Sequence, residues 1–260
     1  MRRGVPAEGW TLAVVFLESW AREGRPDLGT AALDAHKVCF PFLGNERSAR
    51  NSAAMRRGEF VQPPSMSAFF ATAFEMVVVN DREGARRALA RFRTADHAVG
   101  LARCFVAGAL VGTPQVAASL GKSIASITHE GRSAAALGGW LALLAHYFLR
   151  GATAREAFHA ANAVADASPF FSPISEASKM AEHNALPVGM DREFVPCSEV
   201  ARVVGLAALD RLPVGGCDND EIRPIVLPLR SREGVAIPDA QQERIEAAVA
   251  AALAAGIIPA

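Results

Sequence analysis

The sequence predicts an all-α fold in one domain. Three observations carry that prediction. Apolar residues recur at helical spacing through most of the chain, N-terminal caps and closing glycines stand where helix ends require them, and alanine dominates while alternating β-branched patterns are scarce. The densest expression of the pattern lies between Asp96 and Ala161. Gly100–Val111 is apolar apart from Arg103 and ends at Gly112. Thr113-Pro114 supplies a capping hydroxyl and a first-turn proline, whose missing N–H costs nothing there. The helix that follows carries Val116, Leu120, Ile124 and Ile127 on one side, which predicts a buried stripe. It stops at Thr128-His129-Glu130-Gly131. The next helix, 133–150, is apolar nearly all round, with Leu137, Leu141, Leu144 and Phe148 in register, and is expected inside the protein. Gly151 closes it, and Thr153-Ala154-Arg155-Glu156 is a capping box that opens another.

The remaining elements follow the same rules. Thr11–Glu23 reads as an amphipathic helix with Leu12, Val15, Phe16 and Trp20 inward, closed by Gly24 and Pro26. A second is expected over 30–40, a short polar one within 42–64, a phenylalanine-spaced one over 65–79, and one capped by Asp81. Pro169, Pro173 and Pro187 mark irregular chain around a helix at 175–183, and 198–212 is helical with Val200, Val203, Val204 and Ala207 together. Three prolines keep 223–238 from being a long helix, and Asp239 caps the last one, with Ile245, Val249 and Leu253 on one face and Gly256 beyond its end.

Composition excludes several functions. Of 260 residues 51% are hydrophobic, enough to bury a sizeable core, and 27 basic side chains balance 27 acidic ones. A formally neutral chain exerts no global attraction on nucleic acid or an anionic membrane. Arg82, Arg86, Arg87, Arg91 and Arg93 are diluted by Asp81 and Glu83, and the one aromatic among them, Phe92, falls on the inward side with Ala85 and Leu89, so they read as a solvated face. Cys39, Cys104, Cys197 and Cys217 lack metal or redox spacing and read as reduced thiols, Cys104 in the core. The apolar run 134–149 falls short of a bilayer span and contains His146. The apolar run after Met1-Arg2-Arg3 is too short for a secretory signal, so a cytoplasmic protein is expected.

Two local arrangements could carry chemistry. Thr128, His129 and Arg132 sit in a tight connection between two core helices, able to hold polar groups rigidly at the edge of a cleft. The same three also read as a cap, a locally satisfied histidine and a surface arginine. In Gly215-Gly216-Cys217-Asp218-Asn219-Asp220-Glu221-Ile222, carboxylates at i and i+2 after a glycine turn converge as a hard cation requires. An acidic surface turn that starts a helix has the same composition.

Taken together these segments resemble the ADP-ribosylglycohydrolase family. Ser123-Ile124-Ala125-Ser126-Ile127-Thr128-His129, the small-residue helix after it and Phe148-Leu149-Arg150-Gly151 resemble the segment around that family's Thr-His pair. Gly100-Leu101-Ala102-Arg103 is similar in position to its Asn-Gly…Met-Arg segment, and Ala7-Glu8-Gly9-Trp10 to its Thr-Asp-Asp-Thr. The run 215–222 resembles its second metal motif, Gly-Gly-Asp-x-Asp-Thr/Ser, with Cys217 inserted and Glu221 in place of the hydroxyl, and Ala236-Ile237-Pro238 resembles its closing Ile-Pro. The resemblance implies an orthogonal multi-helix bundle over 1–260, with the family's leading helix lying before Met1. It implies Mg²⁺ or Mn²⁺ held by Glu8, Asp218, Asp220 and Glu221, with Glu8 and Asp218 in catalytic roles. Gly100, Arg103, Thr128, His129 and Arg132 are implied on the substrate side, and an ADP-ribosylated protein or small molecule as the partner. Hydrolysis or binding of an ADP-ribosyl group is the implied function. The first metal motif keeps only Glu8, and the alternative is an inactive relative serving as a binding or structural protein.

Overall fold

A computed structural model describes residues 8–27, 30, 31, 34, 95–110, 112–126, 129, 131–183, 195–212, 226, 229 and 239–257. In chain order these form α1 (Glu8–Glu23), a 3-10 helix η1 (Ala95–Ala109), α2 (Pro114–Ser126), α3 (Arg132–Phe148), α4 (Ala154–Asp166), α5 (Ser172–Lys179), a 3-10 turn η2 (Met180–His183), α6 (Val195–Ala208) and α7 (Asp239–Ala254). No strand occurs among the described residues, as the helical spacing predicts. The helices expected over 30–40, 42–64, 65–79 and from Asp81, the arginines 82–93 and the segment 223–238 lie largely or wholly outside the described residues. No helix among those described is long and apolar enough to cross a membrane.

The bundle is built around α3, which is buried without interruption from Ser133 to His146. It packs against α2, η1, α4, α5 and α6, while α1 lies between η1 and α7. Small residues set the closest approaches. A Cβ at Gly121 would lie 2.4 Å from the Gly138 carbonyl oxygen, and one at Gly138 would lie 2.7 Å from the Gly121 oxygen. The axes of α2 and α3 therefore cross with backbone against backbone. This rotates α2 away from the expected stripe. Ala117, Ala118, Gly121, Ile124 and Ala125 face inward, Leu120 is half-buried, and Val116 is 52% exposed.

The chain from Ala95 to Ala109 is a 3-10 helix where an α-helix was expected from Gly100. From Leu101 on it is buried almost throughout, with Leu101, Ala102, Arg103, Cys104, Val106 and Ala107 all inside. Gly108 fixes its seat on α3, since a Cβ there would lie 2.5 Å from both the Ala142 oxygen and the His146 nitrogen.

Caps expected from sequence are formed. Thr113 Oγ1 accepts from Val116 N at 3.3 Å, and the Thr153–Glu156 box is complete, with Glu156 Oε2 accepting from Thr153 N at 2.9 Å. Helix C-termini are closed by arginines reaching from other elements, which satisfies carbonyls that a helix end leaves without partners. Arg150, just past α3, donates to the Gly108 and Leu110 carbonyls at the end of η1 and to the His146 carbonyl in the last turn of α3. Arg155, in the first turn of α4, donates to the Leu209 carbonyl after α6 at 3.2 Å.

Candidate functional site

The turn between α2 and α3 brings two of the sequence-singled residues to one place. Arg103 is fully buried and its guanidinium donates to the Ile124 carbonyl across 3.1 Å. His129, 2% exposed, donates its backbone N–H to the next carbonyl, that of Ala125, at 3.0 Å. Consecutive carbonyls in the last turn of α2 thus receive one donor from η1 and one from the connection itself. A cation at a helix C-terminus also complements the partial negative charge there. Thr128, between these anchors, lies outside the described residues.

Burial has one clear electrostatic consequence. It pushes the Cys104 thiol up to about 11, and the neighbouring Arg103 charge only partly opposes this. Cys104 is therefore a packing residue at neutral pH and not a nucleophile.

Arg132, the first residue of α3, is the exposed member of the set. Gly131 precedes it at φ +131°, a conformation that suits glycine, and turns the chain into the helix. The Arg132 guanidinium donates to the Pro169 carbonyl and lies 5.8 Å from the centre of the Phe170 ring. Lys122 Nζ, one turn before the end of α2, lies 4.5 Å from the same ring. Phe170 is held edge-to-face on Phe171 at 4.9 Å, and Phe171 fills the space that the missing side chain of Gly139 leaves on α3. Lys122 and Phe170 were not singled out from sequence. The available signal was that Lys122 is the one charged residue between Gly112 and His129.

The remaining expected site residues are not assembled within the described region. Glu8 opens α1, which packs against η1, the element of Gly100 and Arg103. Asp218, Asp220 and Glu221 lie outside the described residues. Among the described residues no group of three or more His, Cys, Asp or Glu is placed to hold a metal ion. Compared with known proteins, the chain matches no family model, no curated protein and no solved structure.

Proposed function

We propose that this chain is a divergent relative of the ADP-ribosylglycohydrolases that binds, and with a divalent cation hydrolyses, an ADP-ribosyl group. The observation that carries the reading is the construction of the 123–132 segment. Arg103 and His129 anchor successive carbonyls at the end of α2, the helix that runs in sequence into the Thr128-His129 step resembling the family's Thr-His pair. Arg132, three residues after His129, is exposed. The four carboxylates Glu8, Asp218, Asp220 and Glu221 are hard oxygen donors, the set that suits Mg²⁺ or Mn²⁺. When bound, such a cation orients ribose hydroxyls and water and stabilises developing negative charge. The chain's own contribution is positional. Arg103 and His129 hold the last turn of α2, and Arg132 presents a guanidinium suited to a phosphate.

A second reading, a binding or structural protein without turnover, is favoured by one specific observation. The Arg103 guanidinium is fully buried against the Ile124 carbonyl and reaches no solvent, as a packing role requires. Calorimetry with ADP-ribose beside hydrolysis of ADP-ribosyl-arginine and ADP-ribosyl-serine, each with and without Mn²⁺, separates the two. Metal-dependent turnover is the expected result for the enzyme. Binding without turnover favours the second reading, and absence of both removes the ADP-ribosyl assignment. The metal is tested independently by thermal shift. Mn²⁺ raises the melting temperature by mass action, and Asp218→Ala abolishes the rise.

A further inference from the structure

Charge is distributed unevenly around the α2–α3 turn. Between Asp96 and Glu156 the sole acidic residue is Glu130, whereas Arg103, Lys122, Arg132, Arg150 and Arg155 are cationic. Three of these are committed to main-chain carbonyls at helix ends: Arg103 to Ile124, Arg150 to Gly108, Leu110 and His146, and Arg155 to Leu209. Lys122 and Arg132 differ. Both are exposed, and among the described residues neither is paired with a carboxylate. Arg132 gives one N–H to the Pro169 carbonyl, and among the described residues the rest of its five-donor fork has no hydrogen-bond partner. Lys122 keeps a compact, three-donor ammonium.

We propose that Lys122 and Arg132, gathered over the Phe170 ring, form a subsite for a diphosphate group. Attraction between a cation and an aromatic face opposes the mutual repulsion that would otherwise drive the two side chains apart. Their distances from one ring, 4.5 Å for Lys122 Nζ and 5.8 Å for Arg132 Cζ, keep them together. The separation cannot exceed roughly one Debye length, about 10 Å at moderate salt, so their fields add at any anion between them. Phe170 is itself immobilised by Phe171 against α3, so the pair is preorganised and an incoming anion has little to order. A single phosphate can be met by either cation. Two linked phosphoryl groups can engage both, which is the reason for assigning a diphosphate. In sequence the two residues bracket positions 123–131, which include the Thr128-His129 step. The diphosphate's identity as that of an ADP-ribosyl group rests on the proposed function, whereas the subsite itself does not.

Isothermal calorimetry of the whole chain with inorganic pyrophosphate at low ionic strength tests this directly. Pyrophosphate is expected to bind more tightly than inorganic phosphate and to weaken as salt is raised. Lys122→Gln and Arg132→Gln are each expected to lower its affinity about tenfold, the scale of one lost charge-assisted hydrogen bond. Lys122→Arg is expected to retain binding. Both side chains are exposed, so the variants are expected to fold, and their melting curves check this. Absence of pyrophosphate binding, equal affinity for phosphate and pyrophosphate, or undiminished binding in the folded Lys122→Gln/Arg132→Gln double variant would each overturn the subsite. ADP-ribose is then titrated in competition. Displacement of pyrophosphate joins the subsite to the ADP-ribosyl reading. Pyrophosphate binding that ADP-ribose does not displace leaves the subsite standing and removes that reading alone.

Discussion

Trp140 and Asn162 are locked together in the core, the indole Nε1–H donating to the amide oxygen across 2.9 Å. Asn162 Oδ1 also accepts from Ser178 Oγ at 2.9 Å, and the single Ser175 hydroxyl proton is shared between Asn162 Oδ1 at 3.1 Å and Asp166 Oδ1 at 2.7 Å. The chain of contacts continues to the exposed Asp166–Lys179 pair, so α3, α4 and α5 share one polar network running from core to surface. Indole can only donate, which fixes the orientation of the amide. Among the described residues Asn162 Nδ2 has no partner, so the oxygen side alone supports the arrangement.

Replacing Asn162 with alanine leaves a buried indole N–H without an acceptor. The serines have other acceptors in reach, Ser178 at the Ser175 carbonyl and Ser175 at Asp166, and lose less. The expected loss is about 2 kcal/mol or more, the cost of a stranded buried donor plus lost packing. Trp140→Phe removes the donor itself and keeps a ring edge-to-face with Phe158, so it is expected to cost less. Urea unfolding of both variants checks the order, and equal or reversed losses would contradict it.

Gly121→Ala reverses an ordinary expectation. Alanine normally gains about 1 kcal/mol over glycine inside a helix. Here the new Cβ would sit 2.4 Å from the Gly138 oxygen and 2.6 Å from Ala142 Cβ, so α2 must move off α3. Overpacking of this kind costs roughly 1–3 kcal/mol and outweighs the propensity gain. The substitution is expected to lower the urea midpoint, and a raised midpoint would mean the helices are not in this contact.

The same close contact explains what the sequence did and did not disclose. Helix existence was legible from capping residues: Thr113-Pro114, the Thr153–Glu156 box and Gly256 all act where read, Gly256 at φ +68°. The burial of Leu137, Leu141 and Leu144 in α3 was legible because that helix is covered on every side. Phe148, at its end, is only half-buried. The facing direction of the partner helices was not legible. Large apolar residues were read as the contact face of α2 and α7, yet Ala117, Ala118 and Gly121 face inward in α2. In α7 Ala248 and Ala252 are buried while Leu253 is 40% exposed. When backbones approach this closely only small side chains fit between the axes, and larger ones move to the flanks. A stripe scored by hydrophobicity is therefore rotated off the contact face, with Ile124 of the α2 stripe fully buried, Leu120 half-buried and Val116 exposed. Of the candidate site, the exposure of Arg132 matches a surface position, but the packing of Arg103 and His129 at one helix end depends on tertiary contacts that spacing does not encode.

Cys104 makes stability fall on the alkaline side. Its thiol is shifted from 9.0 to about 11 by burial, opposed by Arg103, so between those values the unfolded chain has lost the proton that the folded chain keeps. The unfolded state then binds fewer protons, and stability declines as pH rises, by about 1.4 kcal/mol per pH unit over that window. Cys104→Ala is expected to flatten this alkaline limb in urea unfolding measured from pH 8 upward. Native alkylation near neutral pH, read by mass spectrometry, is expected to spare both Cys104 and Cys197, which are fully buried.

His146 acts on the acid side with the opposite sign. It is buried near the end of α3, and among the described residues its Nδ1 has no hydrogen-bond partner. Burial, with the nearby Arg150 charge second, holds the imidazole below its ordinary value of 6.5. The folded chain therefore keeps a neutral ring where the unfolded chain takes up a proton. The stability this contributes is complete above 6.5 and is lost as pH falls through the depressed folded value. Protonation would also set a second cation beside Arg150, whose guanidinium holds the Gly108 and Leu110 carbonyls at the end of η1. Acid loosening is thus expected to begin at the η1–α3 junction. Hydrogen exchange is expected to show faster exchange around Gly108 and Leu110 at pH 5 than at pH 7, after correction for intrinsic rates, and His146→Gln is expected to remove the difference. An unchanged acid response in that variant would place the sensitive group elsewhere.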